Sequence, residues 1–218
     1  LKRYKDQYGI TVIKNKKNLG FNKAVNVAIK KALQMRADMI MPLDFDLDFS
    51  FDFISKLSRI DGDIVAPVLK SKMDGKWFYD YGGRIDWKRG SGSHLIKYSP
   101  IRNIGELTTT VDHSKPNWID FVSGGCTIIK KEVIEKIGYL DEDYFVYWGD
   151  ADFTIRARDA GFRVVIDGNT VVHHKLEISS QTKNIKKMKI SFFDNLTFIK
   201  KRIKWYFKPL AYMNIFLF

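Results

Sequence analysis

The feature that most constrains the fold is an alternation of strand and helix patterns in the first third of the chain. Three short apolar runs are typical of buried strands, namely "GITVIKN" (9–15), "ADMIMPLD" (37–44) and "GDIVAPVLK" (62–70). Between them, "NKAVNVAIKKALQM" (22–35) and "SFDFISKLSRI" (50–60) have helical periodicity. Because this alternation builds helix-covered parallel units, it predicts an α/β fold with a mostly parallel sheet flanked by helices.

The rest of the chain continues the pattern after an interruption. Residues 71–117 are rich in glycine and aromatic residues, which predicts hairpins or a long loop. Strand and helix patterns then resume, with the helices ending at Gly138 and Gly161. These later segments are the strand "WIDFVSGGCTIIK", the helices "KEVIEKIG" and "GDADFTIRARDAG", and the strands "FRVVIDG" and "TVVHH". We therefore expect one α/β domain over residues 1–180 and a helical tail over residues 181–218.

Composition limits the classes of protein. At 218 residues with 45% hydrophobic content, the chain can bury a substantial core, which argues against a disordered protein. The single cysteine, Cys126, cannot form an internal disulfide, and this favours a reducing, cytoplasmic location. The first residues resemble neither a signal peptide nor a transit peptide, and the chain opens on Leu1. We interpret the sequence as a fragment of a longer protein.

The positive charge is concentrated in the tail. Residues 181–208 hold nine Lys or Arg and one Asp, a net of +8 out of the formal +12. Basic and aromatic residues alternate there at roughly helical spacing, as in a helix that lies on an anionic membrane surface. A helix that packs its apolar side on the domain would show the same pattern. Nucleic-acid binding is a weaker third reading, because no DNA- or RNA-binding motif accompanies the charge.

Carboxylates follow the predicted strand 37–44. In a parallel α/β sheet, ligands bind at the carboxyl ends of strands, where Asp44 and Asp46 fall. Residues two apart in extended chain point the same way, so both carboxylates could face one cation. Oxygen ligands suit Mg²⁺ or Mn²⁺. For an isolated D-x-D, a turn rich in capping aspartates would explain the pattern equally well.

Several segments occur in the order expected of one family. They are "NLGFNKAVNVAIKKA" (18–32), "LDFD" (43–46) and "VSGGCTIIKKEVIEKIGYLDEDYFVYWGDADFTIRARDAGFRVVIDGNTVVHH" (122–174). Together they resemble the family 2 glycosyltransferases, in particular the rhamnosyltransferase-like branch, from about residue 10 to residue 199. The resemblance implies a GT-A fold, a nucleotide-sugar donor, a divalent metal and an inverting transfer to an acceptor hydroxyl.

The resemblance also implies site residues on the donor side. The family's N-x-G-F-x-x-x-x-N element, which borders the donor site, is matched by Asn18, Gly20, Phe21 and Asn26. Gly20 would let the backbone approach a ligand closely.

The family's metal and acceptor motifs are matched further along. Asp44 and Asp46 match its D-x-D, with Asp46 the expected direct metal ligand. His174, rather than His173, matches a histidine after the last core strand, which would ligate the metal or contact the diphosphate, although a His–His pair alone is more often structural. Small residues of the acceptor-side loop are matched by Gly124 and Gly125, which a tight turn between strands would also explain.

The segment "YWGDADF" matches the catalytic part of the family. Asp150 matches the catalytic aspartate, the base that takes the proton of the acceptor hydroxyl. Its place in the first turn of a helix favours the ionised form, although a helix-capping aspartate would stand there too. Asp152 is expected to pair with Arg156 at i,i+4 or to contact the donor. Trp148 falls on the acceptor side, and Gly149 stands where the family usually has glutamate, which leaves acceptor positioning open.

The resemblance thus implies a transferase with a glycan or lipid-linked acceptor, acting in surface polysaccharide or glycan synthesis. It would be cytoplasmic and peripheral to a membrane. The family begins with a strand, a helix and a second strand upstream of the segments matched here, so we expect residues 1–218 alone to lack activity. Two other readings stay open: a catalytically inactive glycan- or nucleotide-binding module, which Gly149 favours, and a membrane-surface scaffold that acts through residues 181–218.

Overall fold

The computed structural model describes residues 9–101, 106–109, 118–178 and 184–216. These ranges contain six helices, a short 3₁₀ turn and nine strands. The helices are α1 (Phe21–Gln34), α2 (Phe53–Leu57), α3 (Lys131–Ile137), α4 (Gly149–Asp159), α5 (Ile185–Arg202) and α6 (Lys208–Phe216), with the 3₁₀ turn at Trp205–Phe207. The strands are β1 (Met39–Ile40), β2 (Leu47–Asp48), β3 (Ile64–Met73), β4 (Lys76–Asp86), β5 (Ser91–Lys97), β6 (Glu106–Thr109), β7 (Trp118–Ile119), β8 (Ile128–Lys130) and β9 (Val164–Ile178).

The strands form one sheet whose centre is the parallel pair β3 and β9, with Ile64 opposite Val164. Strand β8 pairs antiparallel with β3 and with β1 on one side, while β6 pairs antiparallel with β9 on the other. The sheet is therefore mixed, whereas the sequence predicted a mostly parallel one. One cause is the turn after β3, where Asp74 and Gly75 have φ of 48° and 77°. Two successive positive φ angles are typical of the tight hairpin turn that joins antiparallel strands, here β3 and β4.

Several predicted elements have different bounds. Residues 9–15, predicted as a strand, pair with no strand in the described part of the chain, and Ile10 and Val12 are exposed. The strand predicted over 37–44 is reduced to β1. The two strands predicted after Gly161 form the single strand β9, whose register against β3 shifts between Pro67 and Val68. A proline lacks the N–H that a regular ladder needs, so the irregularity falls there.

Apolar side chains from both faces of the sheet form the core. Helices α1, α3 and α4 pack on the sheet through residues such as Ile29, Val133 and Phe153. A second cluster joins the tail to the domain, since Phe198, Ile199, Ile203 and Ala211 are buried against Tyr144, Ala151 and Ile155. The helical prediction for the tail is thus confirmed for residues 185–216, apart from the link between its helices. No helix among the described residues is both long enough and apolar enough to cross a membrane.

Candidate active site

An open cleft of about 690 Å³ lies where β3, β4, β5 and β9 meet the segments 44–47, 123–125 and 146–150. The structure brings together at this cleft residues that are far apart in the sequence. Seven of the residues predicted for the site line it, namely Phe21, Asp44, Asp46, Gly124, Gly125, Asp150 and His174.

The two aspartates of the D-x-D motif form a cluster with His174 on one wall of the cleft. Strand β2 pairs antiparallel with β9 and places Leu47 opposite His174. His174 Nε2 lies 3.2 Å from Asp46 Oδ2, and one ligand atom from each of the three residues lies within 4.8 Å of the others. Neighbouring His173 instead packs edge-on against Trp77. The structure therefore brings His174, and not His173, to the aspartates, as predicted.

The donor set of this cluster fits a divalent metal ion. Burial raises the pKa of Asp44, and the charges of Asp46 and Asp150 add to this rise, while His174 opposes it. Two carboxylates and an imidazole suit Mn²⁺, and the carboxylates alone suit Mg²⁺. A bound cation would supply the positive charge that these crowded carboxylates lack.

Gly125 leaves the space that the Asp44 carboxylate occupies. A Cβ atom at Gly125 would lie 2.0 Å from Asp44 Oδ2 and 2.7 Å from its Cγ, so any side chain there would displace the carboxylate. The backbone of the two residues is also joined, since Asp44 N donates to Gly125 O at 2.9 Å. The glycine predicted for the acceptor-side loop thus leaves room for Asp44 in the wall formed by Asp44, Asp46 and His174, which we call the aspartate wall.

Asp150 lies in the first turn of α4 and lines the cleft. Its Oδ2 accepts a hydrogen bond from Gly124 N at 3.2 Å, and its Oδ1 accepts one from Ala151 N at 2.8 Å. Burial raises its pKa, and these two hydrogen bonds and the charge of His94 only partly oppose the rise. The sequence predicted that the helix dipole would favour ionisation, but desolvation outweighs it. A carboxyl with a raised pKa suits a group that must accept a proton.

The glycine at position 149 has a packing explanation. A Cβ atom there would lie 2.1 Å from Asn22 Nδ2, so Asn22 of α1 fills the space that a glutamate would need. Asn22 is fully buried and donates to Asp141 O at 2.7 Å. Just before it, Trp148 has φ 66°, a strained conformation for a large side chain, and its ring stacks on Phe198 at 4.1 Å.

Four residues predicted to contact the donor do not line the cleft. Asn18 Oδ1 accepts a hydrogen bond from Gly20 N, and the space beside Gly20 (φ 80°) is filled by Phe145 O, 2.5 Å from a Cβ built there. Asn26 is buried and bonds to both backbone polar atoms of Leu140. These residues hold neighbouring loops together, and their direct contact with a donor stays a prediction.

Asp152 is the fourth, and it is fully buried. It accepts from Arg156 Nε at 2.8 Å, which confirms the predicted i,i+4 pair. It also pairs with Arg202 of α5 and accepts from Tyr144 Oη at 3.3 Å. Both carboxylate oxygens of Asp152 therefore bond to other residues of the protein. This corrects the alternative in which Asp152 contacts the donor: the residue positions α4 and α5 instead.

The cleft also contains a histidine–aspartate pair that sequence reasoning missed. His94 Nδ1 lies 2.8 Å from Asp80 Oδ2, and both residues line the cleft. Burial opposes protonation of His94, but the hydrogen bond to Asp80 and the charges of Asp80 and Asp150 outweigh it, so its pKa is raised. The two residues lie on adjacent strands, β4 and β5. Their separation in sequence gives no periodic signal, so only the hairpin register reveals the pair.

Asp194 of the tail was missed as well. It is 3% exposed, and its carboxylate accepts three backbone hydrogen bonds, from Phe145 N at 2.9 Å, Val146 N at 2.9 Å and Tyr147 N at 2.8 Å. It is also the single acidic residue in the basic stretch 181–208, and this isolation was the signal available in the sequence. Asp194 thus ties the tail to the segment that leads into α4 and Asp150.

Comparison with known proteins identifies the family. The sequence profile described as Glycosyl transferase family 2 matches residues 1–138, more than half of the chain. The chain belongs to glycosyltransferase family 2. Its membership confirms the resemblance seen in the motifs.

Two curated proteins of glycan biosynthesis share part of the sequence. The O-antigen biosynthesis protein RfbC of Myxococcus xanthus is 32% identical over 74 residues, 33% of this chain and 6% of that protein. The low-salt glycan biosynthesis hexosyltransferase Agl10 of Haloferax volcanii is 42% identical over 40 residues, 18% of this chain and 13% of that protein. The matches thus span only a small part of each relative's length.

A solved structure extends the comparison to the fold. The structure of GalNAc-T7 with UDP, GalNAc and Mn²⁺ matches with a TM-score of 0.61 at 15% identity, covering 94% of this chain and 40% of that one. At this identity the likeness shows the fold alone. It confirms the predicted class, an α/β fold of the GT-A type with a central sheet and flanking helices.

Proposed function

We propose that this family 2 glycosyltransferase moves a sugar, with inversion, from a nucleotide-diphosphate sugar to an acceptor hydroxyl. The observation that carries the proposal is the arrangement of one cleft. Asp44, Asp46 and His174 lie close enough together on one wall to hold a metal ion, and Asp150 lies at the same cleft in the first turn of α4. Inverting displacement needs these two functions, which are charge neutralisation at the leaving diphosphate and a base near the incoming hydroxyl.

The aspartate wall is assigned to the donor. Asp46 and His174, with Asp44 beside them, would hold Mn²⁺ or Mg²⁺, and the bound ion would neutralise charge on the diphosphate. Gly125 keeps Asp44 in place, because no side chain intrudes on its carboxylate. A solved structure of similar fold contains UDP and Mn²⁺, which is consistent with this assignment.

Asp150 is assigned to the acceptor. As the acceptor oxygen bonds to the anomeric carbon of the donor sugar, the acceptor O–H bond breaks and its proton passes to an oxygen of Asp150. The bond between the anomeric carbon and the diphosphate breaks on the opposite face of the sugar, and its electron pair leaves with the diphosphate. The hydrogen bonds from Gly124 N and Ala151 N hold the carboxylate in one orientation for this step.

The biological setting is also part of the proposal. One relative is named as an O-antigen protein and the other as a glycan-biosynthesis hexosyltransferase, which supports transfer of a hexosyl or rhamnosyl unit in surface polysaccharide or glycan synthesis. We place the protein in the cytoplasm, where free Cys126 would stay reduced, at the inner face of a membrane that carries the acceptor.

The tail offers a surface for that membrane, although not all of its basic residues are available to lipid. Trp205 is 80% exposed, and Lys204 lies beside it. Lys201 and Arg202, however, pair with acidic residues of the domain, Asp141 and Asp152, so they are not available to lipid. Docking would therefore rest on the exposed aromatic residues Trp205 and Tyr206 and on Lys204, since Phe207 packs against the second cluster.

The test is a hydrolysis and transfer screen on the full-length protein with Mn²⁺ or Mg²⁺ and UDP-, dTDP- and GDP-sugars. We expect metal-dependent release of nucleoside diphosphate from one class of donor, and a transfer product of inverted anomeric configuration by NMR. Binding of nucleotide or glycan without turnover would instead identify an inactive binding module. A product of retained configuration would contradict the role given to Asp150.

A further inference from the structure

A second cavity of about 350 Å³ adjoins the cleft on the side of Asp150. His94 and Asp150 line both spaces, so the cavity opens onto the predicted base. Its walls come from four parts of the chain: β5, Phe121, the segment 146–151, and helix α5 of the tail. The volume lies at the lower end of the 300–1,000 Å³ that is typical of small-ligand sites.

Helix α5 presents polar groups to this cavity. Ser191 and Asn195 are one helical turn apart and both line it. The Asn195 Oδ1 atom is buried and has no hydrogen-bond partner among the described residues. Buried polar atoms are rarely left unpaired, so this amide has hydrogen-bonding capacity that its neighbours among the described residues do not use. An amide also both donates and accepts, which matches a hydroxyl group.

The character of the walls limits the class of ligand. Ser91 and Trp148 also line the cavity, while Lys and Arg are absent from its described lining. The nearby charges are the Asp150 carboxylate and His94, whose charge is balanced by Asp80 at 2.8 Å. An anionic group such as a phosphate would meet a carboxylate with no unpaired cation, whereas a neutral polyhydroxyl compound would meet hydroxyl, amide and aromatic groups.

We propose that this cavity binds a neutral sugar unit of the acceptor, with Asn195 and Ser191 of the tail hydrogen-bonding its hydroxyls and directing one hydroxyl to Asp150. The inference rests on the proposed function and deepens it in two ways. It makes the acceptor group a sugar hydroxyl and not a lipid phosphate. It also gives helix α5 a part in binding the acceptor, in addition to its packing on the domain.

Gly92 of β5 keeps the cavity open. A Cβ atom there would lie 3.1 Å from Trp148 Cη2, and the Trp148 ring is held from behind by Phe198. A larger residue at this position would narrow the space between β5 and Trp148. A valine suits a strand, so Gly92→Val changes the cavity with little cost to the sheet.

The experiment uses the full-length protein, the Asn195→Ala and Gly92→Val variants, and a control variant, Asn214→Ala. Asn214 lies on α6 and lines neither space. The probes are methyl hexopyranosides (glucoside, galactoside, mannoside and rhamnoside) and, as the anionic alternative, farnesyl phosphate. Binding is measured by saturation-transfer NMR without donor, and the KM for each acceptor is measured with the donor found in the hydrolysis screen.

We expect at least one glycoside to bind, and Asn195→Ala to raise its Kd and KM about tenfold, as the loss of one hydrogen bond does. Gly92→Val should weaken binding of the same glycoside, while the KM for the donor stays within about twofold. Asn214→Ala should bind the glycoside as the wild type does. Preference for farnesyl phosphate, or equal glycoside binding by wild type and both cavity variants, would overturn the inference. Glycoside binding that depends on Asn195 without turnover of any donor would support the sugar site and contradict the proposed function.

Discussion

Replacing Asp194 by alanine should loosen the segment that carries the predicted base. The Asp194 carboxylate accepts hydrogen bonds from three consecutive backbone N–H groups, those of Phe145, Val146 and Tyr147, at 2.8–2.9 Å. That segment continues through Trp148 into α4, where Asp150 lies in the first turn. The substitution removes the acceptor for all three donors, while the apolar contacts of α5 with the domain remain.

The expected loss in the free energy of unfolding follows from the burial of the Asp194 carboxylate and the exposure of the residues that donate to it. Hydrogen bonds to a charged group contribute about 1.5–3 kcal/mol each, so three bonds set an upper limit of about 4.5–9 kcal/mol. Phe145 and Val146 are 38% and 40% exposed, and water can therefore replace part of what is lost. We expect a loss of about 3–5 kcal/mol in the free energy of unfolding, the range seen when one partner of a buried charged pair is removed.

This loss is measured by urea denaturation of the wild type and of Asp194→Ala, with Asp159→Ala as a control at an exposed site. An unchanged m-value is the check for two-state unfolding. Transfer kinetics should show a fall in kcat of about 10–10², because misplacement of a reacting group by about 1 Å has an effect of that size. A loss of less than about 1 kcal/mol with normal kcat would refute the claim that Asp194 positions this segment.

Three further predictions concern the metal site, the pH dependence and the tail. Gly125→Ala should weaken Mn²⁺ binding at least tenfold by calorimetry, since a methyl group would lie 2.0 Å from Asp44 Oδ2; unchanged affinity would contradict this. Because burial raises the pKa of Asp150, this carboxylate is protonated at higher pH than an ordinary aspartate. The transfer rate should therefore fall on acidification with a midpoint above pH about 3.9, the usual pKa of aspartate, and a midpoint at or below that value would contradict the role of Asp150 as the base. Trp205→Ala should reduce co-sedimentation with anionic vesicles at low salt, and equal recovery of the wild type with neutral and anionic vesicles would contradict docking through the basic charge of the tail.

Much of the fold could be predicted because it depends on local patterns. The helical periodicity before Gln34 and the glycine stops at Gly138 and Gly161 gave helices close to the observed ones. Sheet direction could not be obtained in this way, since it depends on which strands pair. The glycine-rich stretch 71–117 predicted hairpins, and Asp74 and Gly75 form the turn of one between β3 and β4. The antiparallel pairing of β8 with β3 and of β6 with β9 joins distant segments, which an alternation of helices and strands does not reveal.

The candidate site was predictable where its residues form motifs. Asp44, Asp46 and His174 lie together as expected, because β2, which follows the two aspartates, pairs antiparallel with β9 at His174. Asn26 matches a motif, yet its side chain bonds to Leu140, since a motif does not show the direction of a side chain. His94 and Asn195 carry no motif, and only the packing of the hairpin and the tail brings them to the cavity beside Asp150.

The most direct test of the account is donor binding and sugar transfer by Asp46→Ala and Asp150→Asn, measured side by side on the full-length protein. The account assigns the donor and its metal to one wall of the cleft and proton transfer to the other. Asp46→Ala should therefore abolish metal-dependent binding of the nucleotide sugar in calorimetry. Asp150→Asn should bind the donor almost as the wild type does and transfer sugar about 10²–10⁴ times more slowly. Equal loss of donor binding in both variants would contradict this division of roles.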